Sequence, residues 1–286
     1  MTPFGNPHFA GQAAVDNLKV TLPWVFAIMA EPYSFPDWLD DHGVDDARMG
    51  EAYESLDAQS RSGLKTCIAR LHRIWGESPD VSRSLSCPRQ GFCLEREDRP
   101  AEAAVIACAA GYRHPTAFLA ALMPAVLAGV QAILPAFVLP AGSTGRESLP
   151  AAPLLAALEL AGVERAVVLA EETALSLVRQ LRPERSRLLL LGEEPFGEGL
   201  ILHAHNAGLT CRSFFRTPCY WSERLNRAEA LPFAAENASG KDALCECRGD
   251  ASDYPVRLDA DHESLWIWPD LEPNWFRLQR ARLFTP

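Results

Sequence analysis

Between residues 103 and 215 short apolar runs alternate with segments of helical period, and no other feature of the chain constrains its fold as tightly. Residues 103–109, 132–139, 163–169, 188–191 and 209–215 read as strands. Their apolar character does not alternate with polar residues, so each is expected to be covered on both faces, as in a parallel sheet. The intervening segments have apolar stripes at spacings of three and four. Leu119, Leu122, Met123, Val126, Leu127 and Val130 form one stripe, and Leu175, Val178 and Leu181 another. Residues 150–161 end at Gly162 and residues 200–206 at Gly208, glycines placed to stop helices. Glu171 and Glu172 suit the positive end of a helix dipole. Strands and helices joined by short links demand parallel pairing through right-handed crossovers. The predicted class is α/β, a doubly wound parallel sheet of about five strands with helices on both faces.

Residues 114–145 contain no Asp, Glu, Lys or Arg, a length that could cross a bilayer. Pro115, Pro124, Pro135 and Pro140 recur through it and Gln131 interrupts it, so one uniform spanning helix is excluded. A buried helix, capped by Thr116, followed by a buried strand accounts for the same composition. Upstream, residues 1–30 read as an arm, and Leu64, Ile68, Leu71 and Trp75 give residues 45–75 a packing stripe. Residues 76–100 read as a connection ending in a charged turn at 95–99. Downstream, 220–237 is partly helical, and 243–248, 256–258, 265–268 and 275–284 are short strands of a small C-terminal antiparallel appendage. Trp266, Trp268 and Trp275 suit packing better than a ligand platform. The expected division is an N-terminal arm and helical region over 1–100, a Rossmann-like domain over 101–218, and the appendage over 219–286.

The chain has 286 residues and a net charge of −10, so a polyanion would bind against its field and nucleic acid is excluded as a partner. Nine acids against one base, Arg48, crowd residues 31–57, which reads as a solvated helical surface. Eight cysteines would suit disulfides or thiols. The first thirty residues lack the pattern of a secretory leader, so reduced thiols in a cytoplasm are expected. His203, His205, Cys211, Cys219, Cys245 and Cys247 do not have the spacing of zinc knuckles, and no metal is expected. Cys211 beside Arg212 and Cys219 after Pro218 are the cysteines whose setting could favour a nucleophile, and neither has a base nearby in sequence.

One stretch carries a specific resemblance. The segment from His114 to Leu181, with Pro124, Ala125, Ala128, Gly129 and Val130 and then Leu160, Ala161, Gly162 and Val163, resembles the cofactor half of the histidinol dehydrogenase family, within the aldehyde dehydrogenase-like superfamily. The helix from Leu64 to Trp75 is similar to the family helix carrying a Phe-His pair, with His72 at the matching place. The likeness covers about residues 55–200 and implies the family's α/β fold and a place for NAD or NADP. It departs at two cofactor turns, which read Leu169-Ala170-Glu171-Glu172 and Gly192-Glu193-Glu194-Pro195 where the family has glycine-rich turns. The glycine turn before the first helix is reduced to Gly111-Tyr112-Arg113-His114, with Tyr112 where the family has a tyrosine near the cofactor. The family's second domain, with its zinc ligands and Glu-His pair, has no counterpart.

Ligands of an open α/β sheet bind beyond the carboxyl ends of its strands. The candidate site is therefore Tyr112, Arg113 and His114 after the first strand, Ser143, Thr144 and Arg146 after the second, Glu171 after the third and Glu193 after the fourth. The arginines could hold a phosphate and a carboxylate could accept from a ribose hydroxyl, while the glutamates repel a pyrophosphate. Catalytic residues are not identifiable. The expected function is a noncatalytic scaffold or weak nucleotide-binding protein; the alternative is an NAD(P)-dependent alcohol or aldehyde oxidoreductase or a subunit of one. No cofactor is firmly implied, with NAD or NADP the candidates. A small-molecule or protein partner and a homo-oligomer are left open, and no membrane partner is expected.

Overall fold

A computed structural model describes residues 33–77, 81–87, 91–140, 150–192, 196–214, 219–221, 256–258, 262 and 264–285. After a 3-10 turn, Asp37–His42, come helices α1 (Asp46–Ser55) and α2 (Ala58–Trp75), then strands β1 (Ser82–Ser86), β2 (Cys93–Pro100) and β3 (Ala103–Ala109). Helix and strand then alternate: α3 (Pro115–Leu127), β4 (Ala132–Leu139), α4 (Ala152–Ala161), β5 (Val167–Ala170), α5 (Glu171–Gln180), β6 (Ser186–Leu191), α6 (Glu198–Asn206) and β7 (Thr210–Phe214). Strands β8 (Cys219–Trp221) and β9 (Val256–Leu258), a 3-10 turn at Pro273–Phe276 and β10 (Arg277–Phe284) follow.

The five strands read from the sequence form one parallel sheet in the order β5-β4-β3-β6-β7. Central β3 is buried on both faces except at Ala109, which is why its sequence shows no alternation. Odd and even positions feed two cores. Ala104, Ile106 and Cys108 pack with α2, α3, α4 and the C-terminal Trp266, Trp268 and Phe276, while Ala103, Val105 and Ala107 pack with α5, α6 and Leu39.

The charge-free stretch is explained by α3, which is buried all around except at Val126. The sheet covers one side, and Trp268 donates its indole N–H to the Ala117 carbonyl at 2.9 Å from another. Gly162 stops α4 at φ +69° in the left-handed region, as its position in the sequence predicts. Thr116 does not cap α3. Pro115 supplies the first helical residue, so His114 takes the cap position and Thr116 is buried inside the first turn.

The smaller sheet is antiparallel, in the order β1-β2-β10. It contains the C-terminal strand, but two of its strands come from residues 82–100, which the sequence reads as a connection. Glu95–Arg99 are not a turn: Glu95 to Asp98 pair with β1 on one side and Glu95 to Arg99 with β10 on the other, because the charged side chains there find solvent or an ion partner. Arg83 pairs with Glu97 at 3.1 Å, and buried Arg277 with Asp98 at 2.7 Å. Residues 265–268 form no strand; instead Trp266 and Trp268 are buried against the larger sheet's helices. Strands β8 and β9 pair in parallel. The arm over 1–30, most of 220–237 and the strand at 243–248 lie outside the described residues.

The expectation of reduced thiols fails at one pair. The β1–β2 connection brings Cys87 and Cys93 to a Cα separation of 4.2 Å and they form a disulfide. Cys67, Cys108 and Cys211 are free thiols.

Candidate functional site

In a doubly wound sheet the ligand crevice opens beyond the strand ends where successive crossovers change face. Here that point lies between β3 and β6, since α3 and α4 pack on one face and α5 and α6 on the other. The described residues that border it are 110–114 after β3 and Gly192, Phe196 and Gly197 after β6.

The first segment is a tight turn. Ala110 N–H donates to the Val138 carbonyl at 2.9 Å and Tyr112 N–H to the Ala109 carbonyl at 2.9 Å. This tips Tyr112 inward, to 8% exposure, and into the core beside Cys108. Its hydroxyl has no hydrogen-bond partner among the described residues. Burial, reinforced by the neighbouring Cys108, pushes the phenol well above its ordinary value, so it remains a neutral donor. The His114 ring stands edge-on to Tyr112 with centroids 5.4 Å apart, and Arg113 is exposed. The helix that starts here offers one donor fewer to an anion, because Pro115 at its first position has no N–H.

The second segment is closed by its own side chain. Gly192 N–H donates to the Phe214 carbonyl at 3.3 Å, and the Phe196 ring folds back over Gly192. A Cβ at Gly192 would lie 2.5 Å from Phe196 Cδ1, and one at Gly197, where φ is +74°, would lie 2.4 Å from Leu190 Cδ2. Both glycines are therefore required by packing within the loop. The sequence carries no signal for this, since a lone Phe between glycines can point either way.

Glu171 opens α5 at the end of β5, two strands from β3. Its Oε1 reaches the first turn of α6, 3.7 Å from where a Cβ on Gly199 would stand. Helix α6 has Gly197 at its cap and no side-chain cap, so the carboxylate places negative charge at the positive end of that dipole. Tyr112 and Glu171 thus belong to opposite faces of the sheet. The structure brings Tyr112 and His114 together and separates both from Glu171. Ser143, Thr144, Arg146 and Glu193 lie outside the described residues.

The imidazole and thiol set does not converge either. His203 and His205 sit two apart on α6, and His203 Nε2 accepts a hydrogen bond from Arg179 Nε at 2.8 Å. Burial pushes the Cys211 thiol up to about 11 and the Cys67 thiol up to about 12, and raises Cys108 well above the ordinary range. These thiols are held protonated, the opposite of an activated nucleophile. Among the described residues no three or more His, Cys, Asp and Glu side chains gather as a metal site. No helix among them is long and apolar enough to cross a membrane.

No family model matches the sequence, and no curated protein is similar to it. Several solved structures are similar to it in part, at low identity. Histidinol dehydrogenase from Elizabethkingia anophelis does so with a TM-score of 0.43 at 10% identity, covering 87% of this chain and 78% of that one. An aldehyde dehydrogenase from Mycobacterium tuberculosis, complexed with NAD+, gives 0.36 at 17% identity over 65% of this chain and 38% of its own. Lactaldehyde dehydrogenase from Escherichia coli gives 0.37 at 12% identity over 65% and 42%. The chain spans less than half the length of either aldehyde dehydrogenase. Its function has to be read from its own residues.

Proposed function

We propose that this chain is a noncatalytic α/β scaffold related to the cofactor half of histidinol dehydrogenases, in which the dinucleotide crevice has been filled by the protein itself. The carrying observation is Phe196 on Gly192. A pyrophosphate at a switch point needs close backbone approach through glycine and free N–H groups. Here Phe196 occupies the approach at β6 and Pro115 removes a donor at α3. Moving a micromolar site to the millimolar range takes about 4 kcal/mol, or about 2 kcal/mol from each of these two conflicts. Any residual nucleotide binding falls beside Tyr112, Arg113 and His114. The proposal includes loss of the zinc-bearing half of the family, a cytoplasmic setting suited to the free Cys67, Cys108 and Cys211, and a protein partner or second copy in place of a substrate.

The second reading, an NAD(P)-dependent oxidoreductase or a subunit of one, draws on the buried Tyr112 hydroxyl without a partner among the described residues. Thermal unfolding in the presence of NAD, NADP, ATP or zinc, each at 1 mM (a test concentration), separates the two. The scaffold reading expects the melting temperature to move by less than about 1 °C with every ligand. A 10 μM site would contribute about 2.7 kcal/mol at that concentration. For a chain of this size that is a rise of roughly 5–10 °C, and such a rise would refute the proposal.

A further inference from the structure

We propose that the Cys87–Cys93 disulfide is a redox-sensitive latch that holds the edge strand β1 on the smaller sheet. All five residues of β1 are exposed, so the strand brings no apolar burial to its own attachment. It is held by its ladder with β2, by the ion pair of exposed Arg83 with part-buried Glu97, and by the disulfide at its C-terminal end. An edge strand that buries no apolar side chain adds little stability of its own, and an ion pair with one exposed partner adds little more. The strand on the other side of β2 is secured differently. At β10, Arg277 is buried against Asp98, and Arg187 donates to the carbonyls of Trp275 and Arg277. Reduction therefore loosens β1 selectively and leaves β2 and β10 in place.

The two sulfurs are unequal. Cys87 is exposed and Cys93 is 5% exposed, paired across the sheet with Phe284. A small dithiol is the chemical class that opens the bond. Its thiolate attacks Cys87 Sγ, the S–S bond breaks, and Cys93 leaves and takes a proton. The second thiol of the reductant then attacks its own partner sulfur and releases Cys87, which also takes a proton. The dithiol is oxidised to a cyclic disulfide, and the protein gains two electrons and two protons. The ring that opens spans residues 87–93. Loop-closure entropy for a ring of that size changes the opening equilibrium of its ends on the order of 50-fold. When β1 leaves, the outer edge of β2, from Leu94 to Asp98, becomes an unpaired strand edge that an extended segment can join.

The test is limited trypsin digestion of the full chain, reading cleavage after Arg83, before and after dithiothreitol reduction and alkylation. Hydrogen exchange over β3 serves as the control for global folding. The expected result is an increase of at least about tenfold in cleavage after Arg83 on reduction, reversed by reoxidation of an unalkylated sample, with β3 protection unchanged. Cys87→Ser is expected to be cut at the fast rate with or without reductant. Equal rates in the two states, a loss of β3 protection that accompanies the faster cut, or intact mass showing no disulfide in air-purified protein would each overturn the latch.

Discussion

Trp268→Phe tests whether the C-terminal residues are part of the main fold or a detachable appendage. Trp268 is 2% exposed, its indole N–H meets the Ala117 carbonyl at 2.9 Å, and its ring packs on Trp266 and Phe214 at centroid distances of 5.5 Å and 4.8 Å. The substitution removes one buried hydrogen bond, worth about 0.5–1.5 kcal/mol. It also leaves a partial cavity where the larger indole stood, costing roughly 1–2 kcal/mol, a fraction of the 3–5 kcal/mol of full truncation. The expected loss is about 2–3 kcal/mol, which for a chain of this size lowers the melting temperature by roughly 5–10 °C. Urea unfolding followed by far-ultraviolet circular dichroism reads the loss as a shifted midpoint with unchanged slope. A loss under about 0.5 kcal/mol, or a separate early transition carrying only the tryptophan signal, would refute the shared core.

Two glycines separate backbone cost from packing cost. Gly162→Ala at φ +69°, with nothing within 4 Å of the new Cβ, is expected to cost about 1 kcal/mol. Gly197→Ala adds a clash with Leu190 to a similar φ and is expected to cost about 2–4 kcal/mol; equal values in urea unfolding would contradict the packing of that loop. Cys211, with its thiol up to about 11, is expected to react with iodoacetamide at pH 8 roughly 100-fold more slowly than an ordinary thiol, the rate climbing tenfold per pH unit. A plateau below pH 9 would show an activated cysteine instead. Tyr112 has a folded-state pKa raised above its unfolded value of 10.0, so its contribution to stability is intact below pH 10 and is lost as pH rises through the folded value. Tyr112→Phe is expected to reduce the alkaline fall in urea midpoint above pH 10, and an unchanged slope there would refute the buried phenol.

The large sheet was legible because its signal is local: a parallel strand covered on both faces must be apolar throughout, as 103–109 and 188–191 are. Of the smaller sheet, the antiparallel C-terminal strand at 275–284 was legible, while β1 and β2 were not, because they are rich in Ser, Arg, Glu and Asp and β2 pairs with a strand nearly two hundred residues away. Arginines opposite acids across strands, such as Arg83 and Arg280 opposite Glu97 and Arg282 opposite Glu95, leave no period that a single segment shows. The site was half legible. Tyr112 at the switch point follows from the position of the first strand, but its inward turn depends on the 109–112 backbone bond, and Phe196 over Gly192 depends on loop packing. Glu171 at a helix start follows from the sequence, while its place beside the first turn of α6 depends on the packing of α5 against α6.

The most direct test of the filled crevice is calorimetric titration of NAD and NADH into the native chain, Phe196→Ala and Tyr112→Ala. The account predicts no measurable heat at millimolar dinucleotide for the native protein and for Tyr112→Ala, with any gain confined to Phe196→Ala, where the approach to Gly192 is reopened. A dissociation constant in the low micromolar range for the native chain, abolished by Tyr112→Ala, would contradict it and establish a working dinucleotide site.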